Sequence, residues 1–281
     1  MVAMNDWQAY HLVHPENSVT GTLRILKDFY SPELENRRDI VVYLPPSYDN
    51  SDTRYPVIYM HDGQNLFDGH TSYVGEWYVD ETMETLARDE GIEAIIVGIP
   101  NMGHNRLHEY CPFKDPRSLG WGGTYMQFLV KTLKPMIDRD FRTLADRDNT
   151  GLMGSSMGGL ISMYGFFKYP EVFGLGGIIS PALWFGNAAI YPYVEGAKFV
   201  SGKLYIDVGT HESVLIQAKD QVFGYDVPQY VISVRKMRDL LERKGYISGD
   251  NLLYVEDEGG IHNEKDWAKR FPDAIRFLLA E

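Results

Sequence analysis

Residues 149–159 read Asn-Thr-Gly-Leu-Met-Gly-Ser-Ser-Met-Gly-Gly, and this stretch decides the fold. It contains Gly154-x-Ser156-x-Gly158, a pattern typical of a sharp turn from a strand into a helix. Glycine is needed two residues before and two after the central serine because side chains there would collide within the turn. We therefore predict Ser156 at the start of a helix, where backbone N–H groups favour developing negative charge. The adjacent Ser155 lacks the glycine spacing.

Apolar runs alternate with helical periodicity on both sides of this turn. The runs are short, rich in Val and Ile, and typical of buried parallel strands. They are Val57–Met60, Ala94–Gly98, Gly151–Met153, Gly176–Ile179, Leu204–Val208 and Leu252–Val255. Helical spacing occurs at Glu76–Ala87, Tyr125–Ile137, Leu160–Phe167 and Val231–Leu241. This alternation predicts βαβ units around a mainly parallel sheet.

The two ends of the chain depart from the alternation. Gly21–Leu26 and Asp39–Leu44 are predicted as antiparallel strands joined by the polar stretch Ser31–Arg38. The final segment has one apolar face, with Pro272 as a kink or a second helix start. That face consists of Trp267, Phe271, Ala274, Ile275 and Leu278. We predict a single α/β domain over residues 1–281, with antiparallel N-terminal strands, a mainly parallel sheet and helices on both faces.

Composition and charge exclude several classes of partner. The 281 residues are 44% hydrophobic, with 27 basic and 39 acidic residues and a net charge of −12. Such a surface repels nucleic acid and anionic membranes, and the chain has no run of apolar residues long enough to span a bilayer. A single cysteine permits no internal disulfide. We expect a cytoplasmic protein, although a secreted protein without its signal would look the same; the oligomeric state stays open.

A serine nucleophile requires a histidine base and a carboxylate that orients it. In folds with this turn, the acid and then the histidine follow the serine along the chain. Only His211 and His262 follow Ser156, and His262 lies in a glycine-containing loop between the last strand and the last helix. Glu212 follows the strand Leu204–Val208 and is our candidate acid. The competing carboxylates are Asp207, Asp220, Asp226, Asp257 and Glu258.

A glycine-containing loop also follows the strand Val57–Met60. In hydrolases with the serine turn, one backbone N–H of this loop and the N–H after the nucleophile bind the oxyanion. Here these donors would be Gln64 and Met157.

The chain resembles the putative esterase family of α/β-hydrolases. This family includes enterochelin esterases, feruloyl and acetylxylan esterases of carbohydrate esterase family 1, S-formylglutathione hydrolase and the mycolyltransferases. The resemblance extends from about residue 20 to the C-terminus. It is carried by His61–Asp68, Gly154–Gly159 and Asp207–Glu212, with further matches at Glu76–Asp80, Arg106, Glu109–Tyr110, Leu133–Asp138 and Ser180–Trp184.

The resemblance implies a serine hydrolase of the α/β-hydrolase fold that needs no cofactor. It carries over Ser156 as nucleophile, His262 as base and Glu212 as acid, with Gln64 and Met157 in the oxyanion hole. The acid is often Asp in the family, so Glu at this position departs from the pattern.

Tryptophans near the predicted carboxyl edge of the sheet suggest a substrate pocket. Trp184 and Trp121 are our candidates, since aromatic walls suit a phenolic or sugar-linked ester, although packing against the core would explain them equally well. For Trp77, at the start of a helix, core packing is favoured.

Two histidines and a glutamate, His104, His108 and Glu109, occur close together after the strand Ala94–Gly98. Their spacing is more typical of a loop than of a ligand set, and we predict no metal.

These residues predict a serine carboxylesterase that acts on short-chain or aryl esters, such as acetyl or feruloyl esters, through an acyl-serine intermediate. Two alternatives stay open: an acyltransferase that uses the same acyl-enzyme, and a catalytically silent binding domain on the same scaffold. The physiological ester is also open.

Overall fold

The computed structural model describes residues 6–218, 221–225 and 227–280. A nine-stranded sheet has the strand order β1-β2-β3-β5-β4-β6-β7-β8-β11. Its strands are β1 (Gln8–Ala9), β2 (Thr22–Ser31), β3 (Asn36–Leu44), β4 (Val57–His61), β5 (Ile95–Ile99), β6 (Thr150–Ser155), β7 (Leu175–Ile179), β8 (Lys203–Gly209) and β11 (Leu252–Asp257). A separate antiparallel hairpin consists of β9 (Val214–Ala218) and β10 (Gln221–Tyr225).

The pairing confirms the predicted fold class. Neighbouring strands pair antiparallel from β1 through β2 and β3 to β5, and the strands β5, β4, β6, β7, β8 and β11 pair parallel in that order. Helices cover both faces: α1 (Tyr10–Val13), α2 (Val79–Glu90), α3 (Arg106–Glu109), α4 (Gly122–Phe128), α5 (Lys134–Asp140), α6 (Met157–Lys168), α7 (Ile190–Gly196), α8 (Val227–Lys244) and α9 (Glu264–Leu279). Within the described ranges, no helix combines the length and the apolar character needed to cross a membrane.

Two apolar clusters lie against the sheet. One contains the buried faces of α2 and α9, and it includes Val79, Met83, Leu86, Trp267, Phe271, Ala274, Ile275 and Leu278. The other contains the buried faces of α4, α6 and α8. The helical periodicity in the sequence therefore identified the buried faces of α2 and α9, because burial of an apolar stripe is what stabilises such helices.

Several boundaries differ from those predicted. Both N-terminal strands are longer than predicted: β2 continues to Ser31 and β3 begins at Asn36, so only residues 32–35 of the polar stretch Ser31–Arg38 form the turn. The helix predicted from Tyr125 is α4 and α5 joined by a π-helical turn, Leu129–Leu133, and a proline follows in the first turn of α5. α9 continues through Pro272 without a second start. The β9–β10 hairpin was not predicted.

The start of α2 also differs from the prediction. The sequence pattern predicted a helix from Glu76, but α2 begins at Val79. Tyr78 before it has a left-handed backbone, with φ of 53°, which is incompatible with a preceding helical turn. Glu76 consequently belongs to the loop between β4 and α2.

Candidate active site

Ser156 occupies a strained turn between β6 and α6. Its φ of 56° and ψ of −117° lie outside the regions that non-glycine residues ordinarily adopt. A Cβ at Gly154 would lie 2.9 Å from the ring of His61, and one at Gly158 would lie 3.3 Å from the Cβ of His61. The Ser156 N–H donates to the Ile179 carbonyl on β7 at 3.0 Å. The glycine spacing thus reflects tight contact with the strand next to β6, and the turn carries Ser156 beyond the sheet edge.

Gln64 and Met157 both lie at the beginnings of helical turns. Gln64 is the second residue of the 3₁₀ turn Gly63–Asn65, and Met157 is the first residue of α6. N–H groups at these positions have no acceptor within their own helix. The turn approaches β5 so closely that a Cβ at Gly63 would lie 2.5 Å from the Ile99 nitrogen. The Gln64 side chain is held from the same side, since its Oε1 accepts from the Asn101 N–H at 3.1 Å.

His262 is hydrogen-bonded to Glu212. The distance between His262 Nδ1 and Glu212 Oε2 is 3.0 Å. With Nδ1 engaged by a carboxylate, Nε2 is the ring atom left to exchange a proton. The His262 ring is packed edge-on against Trp267, with ring centroids 4.9 Å apart. The imidazole is therefore held in both position and orientation.

Glu212 is fully buried, and its other oxygen has several donors. Oε1 accepts from the Gly209 N–H at 2.8 Å and from the Ser180 hydroxyl, and the Arg270 Nη2 lies at 3.4 Å. Burial by itself would raise the pKa of Glu212, but the hydrogen bond and charge of His262, together with the Ser180 and Gly209 donors, hold the pKa below its usual value. Glu212 is consequently an ionised carboxylate at neutral pH.

Asp207 lies next to this group without contacting His262. Its Oδ1 accepts from the Ser180 N–H at 2.9 Å, and its Oδ2 lies 3.5 Å from the Arg270 Nε. Burial raises the pKa of Asp207 to about 6, although the Arg270 charge opposes the shift. Arg270 therefore shares its charge between the buried carboxylates of Asp207 and Glu212.

The remaining candidate acids do not compete with Glu212 for His262. Asp257 lies 3.9 Å from the Arg270 Nε, and Glu258 is exposed. Asp220 and Asp226 lie outside the described residues. His211 is exposed, and its backbone N–H donates to the Gly260 carbonyl, so it supports the loop that carries His262.

A cavity of about 650 Å³ brings Ser156, Gln64 and His262 together. It is also lined by Asp62, Asn65, Tyr73, Val74, Asn101, Gly103, Arg106, Asn263, Glu264 and Trp267. Most of these residues come from the loops after β4, β5 and β11, at the carboxyl edge of the parallel strands. None of these additional residues was predicted from the sequence as part of the site.

An ion pair between Asp62 and Arg106 lies on the cavity wall. The Arg106 Nε and Nη2 each donate to one oxygen of Asp62, both at 2.7 Å, and Asn101 Nδ2 donates to the same carboxylate at 2.7 Å. Asp62 has a left-handed backbone, with φ of 56°. Both residues lay in motifs that carried the family resemblance, which was the available signal for them. The pair joins the loop that contains Gln64 to the loop after β5.

The two predicted pocket tryptophans do not line this cavity. Trp184 is only 6% exposed and packs beneath the Arg117 guanidinium, which is 5.6 Å from its ring. Trp121 is packed against His108, with centroids 5.2 Å apart. The expectation from the sequence is corrected because these aromatic residues pack against other elements, whereas Trp267 on α9 reaches the cavity. Trp77 is buried in the core, which is the position that the sequence favoured for it.

His104 is exposed, whereas His108 and Glu109 have other partners. His108 Nδ1 accepts from the Leu119 N–H at 3.2 Å. Glu109 is buried and forms an ion pair with Arg38 at 2.9 Å. These two side chains serve to hold the loop 106–122 against its neighbours.

Comparison with known proteins gives a family match over most of the chain. The model of the Esterase family, described as "Putative esterase", matches residues 31–278. The chain is 26% identical to the uncharacterized protein YbbA of Bacillus subtilis over 264 residues, which cover 91% of this chain and 98% of YbbA. It is 28% identical to an endo-1,4-beta-xylanase/feruloyl esterase of Xylanibacter ruminicola over 158 residues, which cover 54% of this chain and 20% of that protein.

The solved structures show the same fold. The BES protein from Bacillus cereus superposes with a TM-score of 0.70 at 21% identity, over 95% of this chain and 98% of that protein.

Proposed function

The chain belongs to the Esterase family and is a carboxylic ester hydrolase, and from this premise we propose that it is a serine esterase with Ser156, His262 and Glu212 as its catalytic triad. The observation that carries the proposal is the hydrogen bond of 3.0 Å between His262 Nδ1 and the buried Glu212, on the cavity that also contains the Ser156 turn. A histidine held in this way is suited to act as a general base.

The reaction would begin with attack of the Ser156 Oγ on the ester carbonyl carbon, while His262 Nε2 takes the hydroxyl proton. The oxyanion that forms would accept hydrogen bonds from the N–H groups of Gln64 and Met157. Loss of one such donor typically raises the barrier by about 3 kcal/mol.

Collapse of this intermediate would break the bond to the leaving alcohol, which receives the proton from His262, and would leave an acyl group on Ser156. His262 would then deprotonate a water molecule that attacks the acyl carbon. The acid leaves, and the proton returns to Ser156. Glu212 stays ionised throughout and stabilises the imidazolium in each half-reaction. No cofactor is needed.

For the substrate, we propose short-chain or aryl esters such as acetyl or feruloyl esters. The cavity of about 650 Å³ is large enough for an aromatic acyl group. Trp267, Tyr73 and Val74 supply apolar surface on its wall. The name of the Xylanibacter ruminicola relative includes feruloyl esterase, which supports the aryl option.

The test is hydrolysis of p-nitrophenyl acetate, butyrate and octanoate and of methyl ferulate by wild type and Ser156→Ala. We expect the substitution to abolish turnover and labelling by a fluorophosphonate probe while the thermal unfolding curve stays unchanged. Ser155→Ala is the matched control, because Ser155 is the adjacent hydroxyl but lies at the end of β6, outside the turn. Undiminished turnover by folded Ser156→Ala would refute the proposal.

A further inference from the structure

Three acidic side chains converge beside the first turn of α2, away from Ser156. Glu76, Asp80 and Glu81 each contribute a carboxylate oxygen, and these oxygens all lie within 4.8 Å of one another. Asp80 is fully buried and Glu76 is 8% exposed, whereas Glu81 is half-buried. The cluster therefore places up to three negative charges in a space that is mostly closed to solvent.

Each member of the cluster has one buried oxygen with no hydrogen-bond donor among the described residues. These atoms are Glu76 Oε1, Asp80 Oδ1 and Glu81 Oε2. The partner oxygens of two members are used: Ser18 Oγ donates to Glu76 Oε2 at 3.4 Å, and the Thr20 N–H donates to Asp80 Oδ2 at 2.6 Å. Exposure to solvent therefore does not explain why these oxygens lack a donor, since all three are buried. A buried acceptor without a donor is costly, and one that carries charge is more so.

Protein cations do not supply the missing charge. None of the ion pairs formed by the described residues includes a member of the cluster. The nearby Asp68 adds a fourth carboxylate, and its own donors are Tyr10, Ser18 and His70. The N-terminus of α2 favours anions, but a helix terminus contributes only about half a unit of charge.

We propose that Glu76, Asp80 and Glu81 bind a divalent metal ion, and that this ion is calcium. Carboxylate oxygens are the ligands that calcium prefers, at 2.3–2.6 Å, so two oxygens on opposite sides of the ion lie about 5 Å apart. The spread of these three oxygens falls within that span. Magnesium requires shorter bonds and retains several water molecules, which a largely buried group accommodates less readily. The half-buried Glu81 marks the side from which water completes the shell.

The proposed ion would join α2 to the loop that lines the active-site cavity. Glu76 lies in the same loop as Tyr73 and Val74, two residues of the cavity wall. Just after Glu76, the Trp77 N–H donates to the Asn65 carbonyl at 2.9 Å, next to Gln64. An ion on Glu76 and Asp80 would therefore fix the end of this loop that enters α2, and the Trp77–Asn65 hydrogen bond connects that end to the turn Gly63–Asn65.

The experiment uses the whole protein after dialysis against a chelator. Calcium chloride is added, binding is measured by isothermal titration calorimetry, and the Tm is followed by circular dichroism. We expect one site and a rise in Tm of about 5 °C at a calcium concentration one hundred times Kd. Asp80→Asn should abolish both signals. Asp89→Asn, which removes a charge from the exposed end of the same helix, should retain them.

The outcomes separate this site from the esterase chemistry. Ser156→Ala should bind calcium as wild type does, so a failed esterase assay and a failed calcium assay have different meanings. Absence of heat at millimolar calcium, together with identical Tm values in chelator and calcium, would overturn the proposal and indicate that a shared proton neutralises the cluster. Binding of magnesium but not calcium would overturn the choice of ion. An unchanged response in Asp80→Asn would overturn the choice of ligands.

Discussion

The structure surrounds two groups of buried carboxylates, one at Glu212 and one at Asp80, with different numbers of hydrogen-bond donors. Around Glu212, donors approach from four sides: the Gly209 N–H, the Ser180 hydroxyl, Arg270 and His262. Around Asp80, the Thr20 N–H is a donor to one oxygen, and the other oxygen has no donor in the described part of the chain.

The difference shows that burial alone does not determine the state of a carboxylate. Both side chains are fully buried, yet donors and charge hold the pKa of Glu212 below its usual value, while burial and the neighbouring Glu81 raise the pKa of Asp80 to about 9. The donors around Glu212 stabilise its ionised form. The group around Asp80 requires a proton or a cation.

Glu212→Gln should have the largest effect, on catalysis. Glutamine keeps the size of the side chain but removes the charge that stabilises the His262 imidazolium, so we expect kcat for p-nitrophenyl acetate to fall by about 10⁴-fold. Asp257→Asn is the matched control, because Asp257 contacts Arg270 only at 3.9 Å. Near-normal kcat in Glu212→Gln, with a loss in Asp257→Asn, would assign the acid to Asp257.

Arg270→Met should have the next largest effect, on stability. It leaves Asp207 and Glu212 buried without their shared cation, and breaking a buried pair in this way costs about 3–5 kcal/mol. Urea unfolding measures this loss. Arg276→Met, six residues further along α9, removes an exposed pair with Glu90 and should change the midpoint little. Equal midpoints for the two variants would show that Arg270 is not what stabilises the Glu212 group.

Asp80→Asn should have the smallest effect, and its sign should be opposite. Asparagine keeps an acceptor for the Thr20 N–H and brings a donor to Glu81, so in chelator at pH 8 the variant should be more stable than wild type by about 1–3 kcal/mol. Urea midpoints measure the gain. A loss of stability would contradict this account of the unpartnered oxygen.

The pH dependence in chelator follows from the same contrast. The folded-state pKa is raised to about 9 for Asp80 and to about 7 for Glu76, so these groups bind protons more tightly when folded. Their contribution to stability is complete below the unfolded pKa of about 4 and is lost as the pH rises towards 9. Wild type should therefore lose stability from pH 5 to 9, with a shallower slope in Asp80→Asn. Glu212, whose pKa is lowered, contributes the opposite slope, since its stabilisation is lost on acidification.

Local patterns in the sequence predicted much of this molecule. The glycine spacing around Ser156 identified the turn, since its cause is local: only a residue without a Cβ fits beside β4 and α6. The strands and buried helix faces were equally predictable, because burial imposes a period on the residues that form them. The boundaries of the helices and strands were less predictable. The start of α2, for example, depends on the left-handed backbone of Tyr78, which no local preference requires.

The sequence indicated Glu212 as the candidate acid but did not predict what surrounds Glu212 and Asp207. Asp207 lies within β8 and Glu212 follows the strand, and both are buried. Their different surroundings arise from Ser180, Arg270 and His262, which belong to other elements; Arg270 is 58 residues and His262 is 50 residues from Glu212 along the chain.

The fold class and the turn at Ser156 could thus be predicted from the sequence, since they depend on periodicity and on local steric limits. Contacts between distant segments set which aromatic residue reaches the cavity, which donors surround Glu212, and that Asp62 pairs with Arg106. The tertiary structure also brought Glu76 and Asp80 together without a compensating charge. The physical reason is that hydrogen bonds and charge interactions act over a few ångströms in space, and only the folded chain sets those distances.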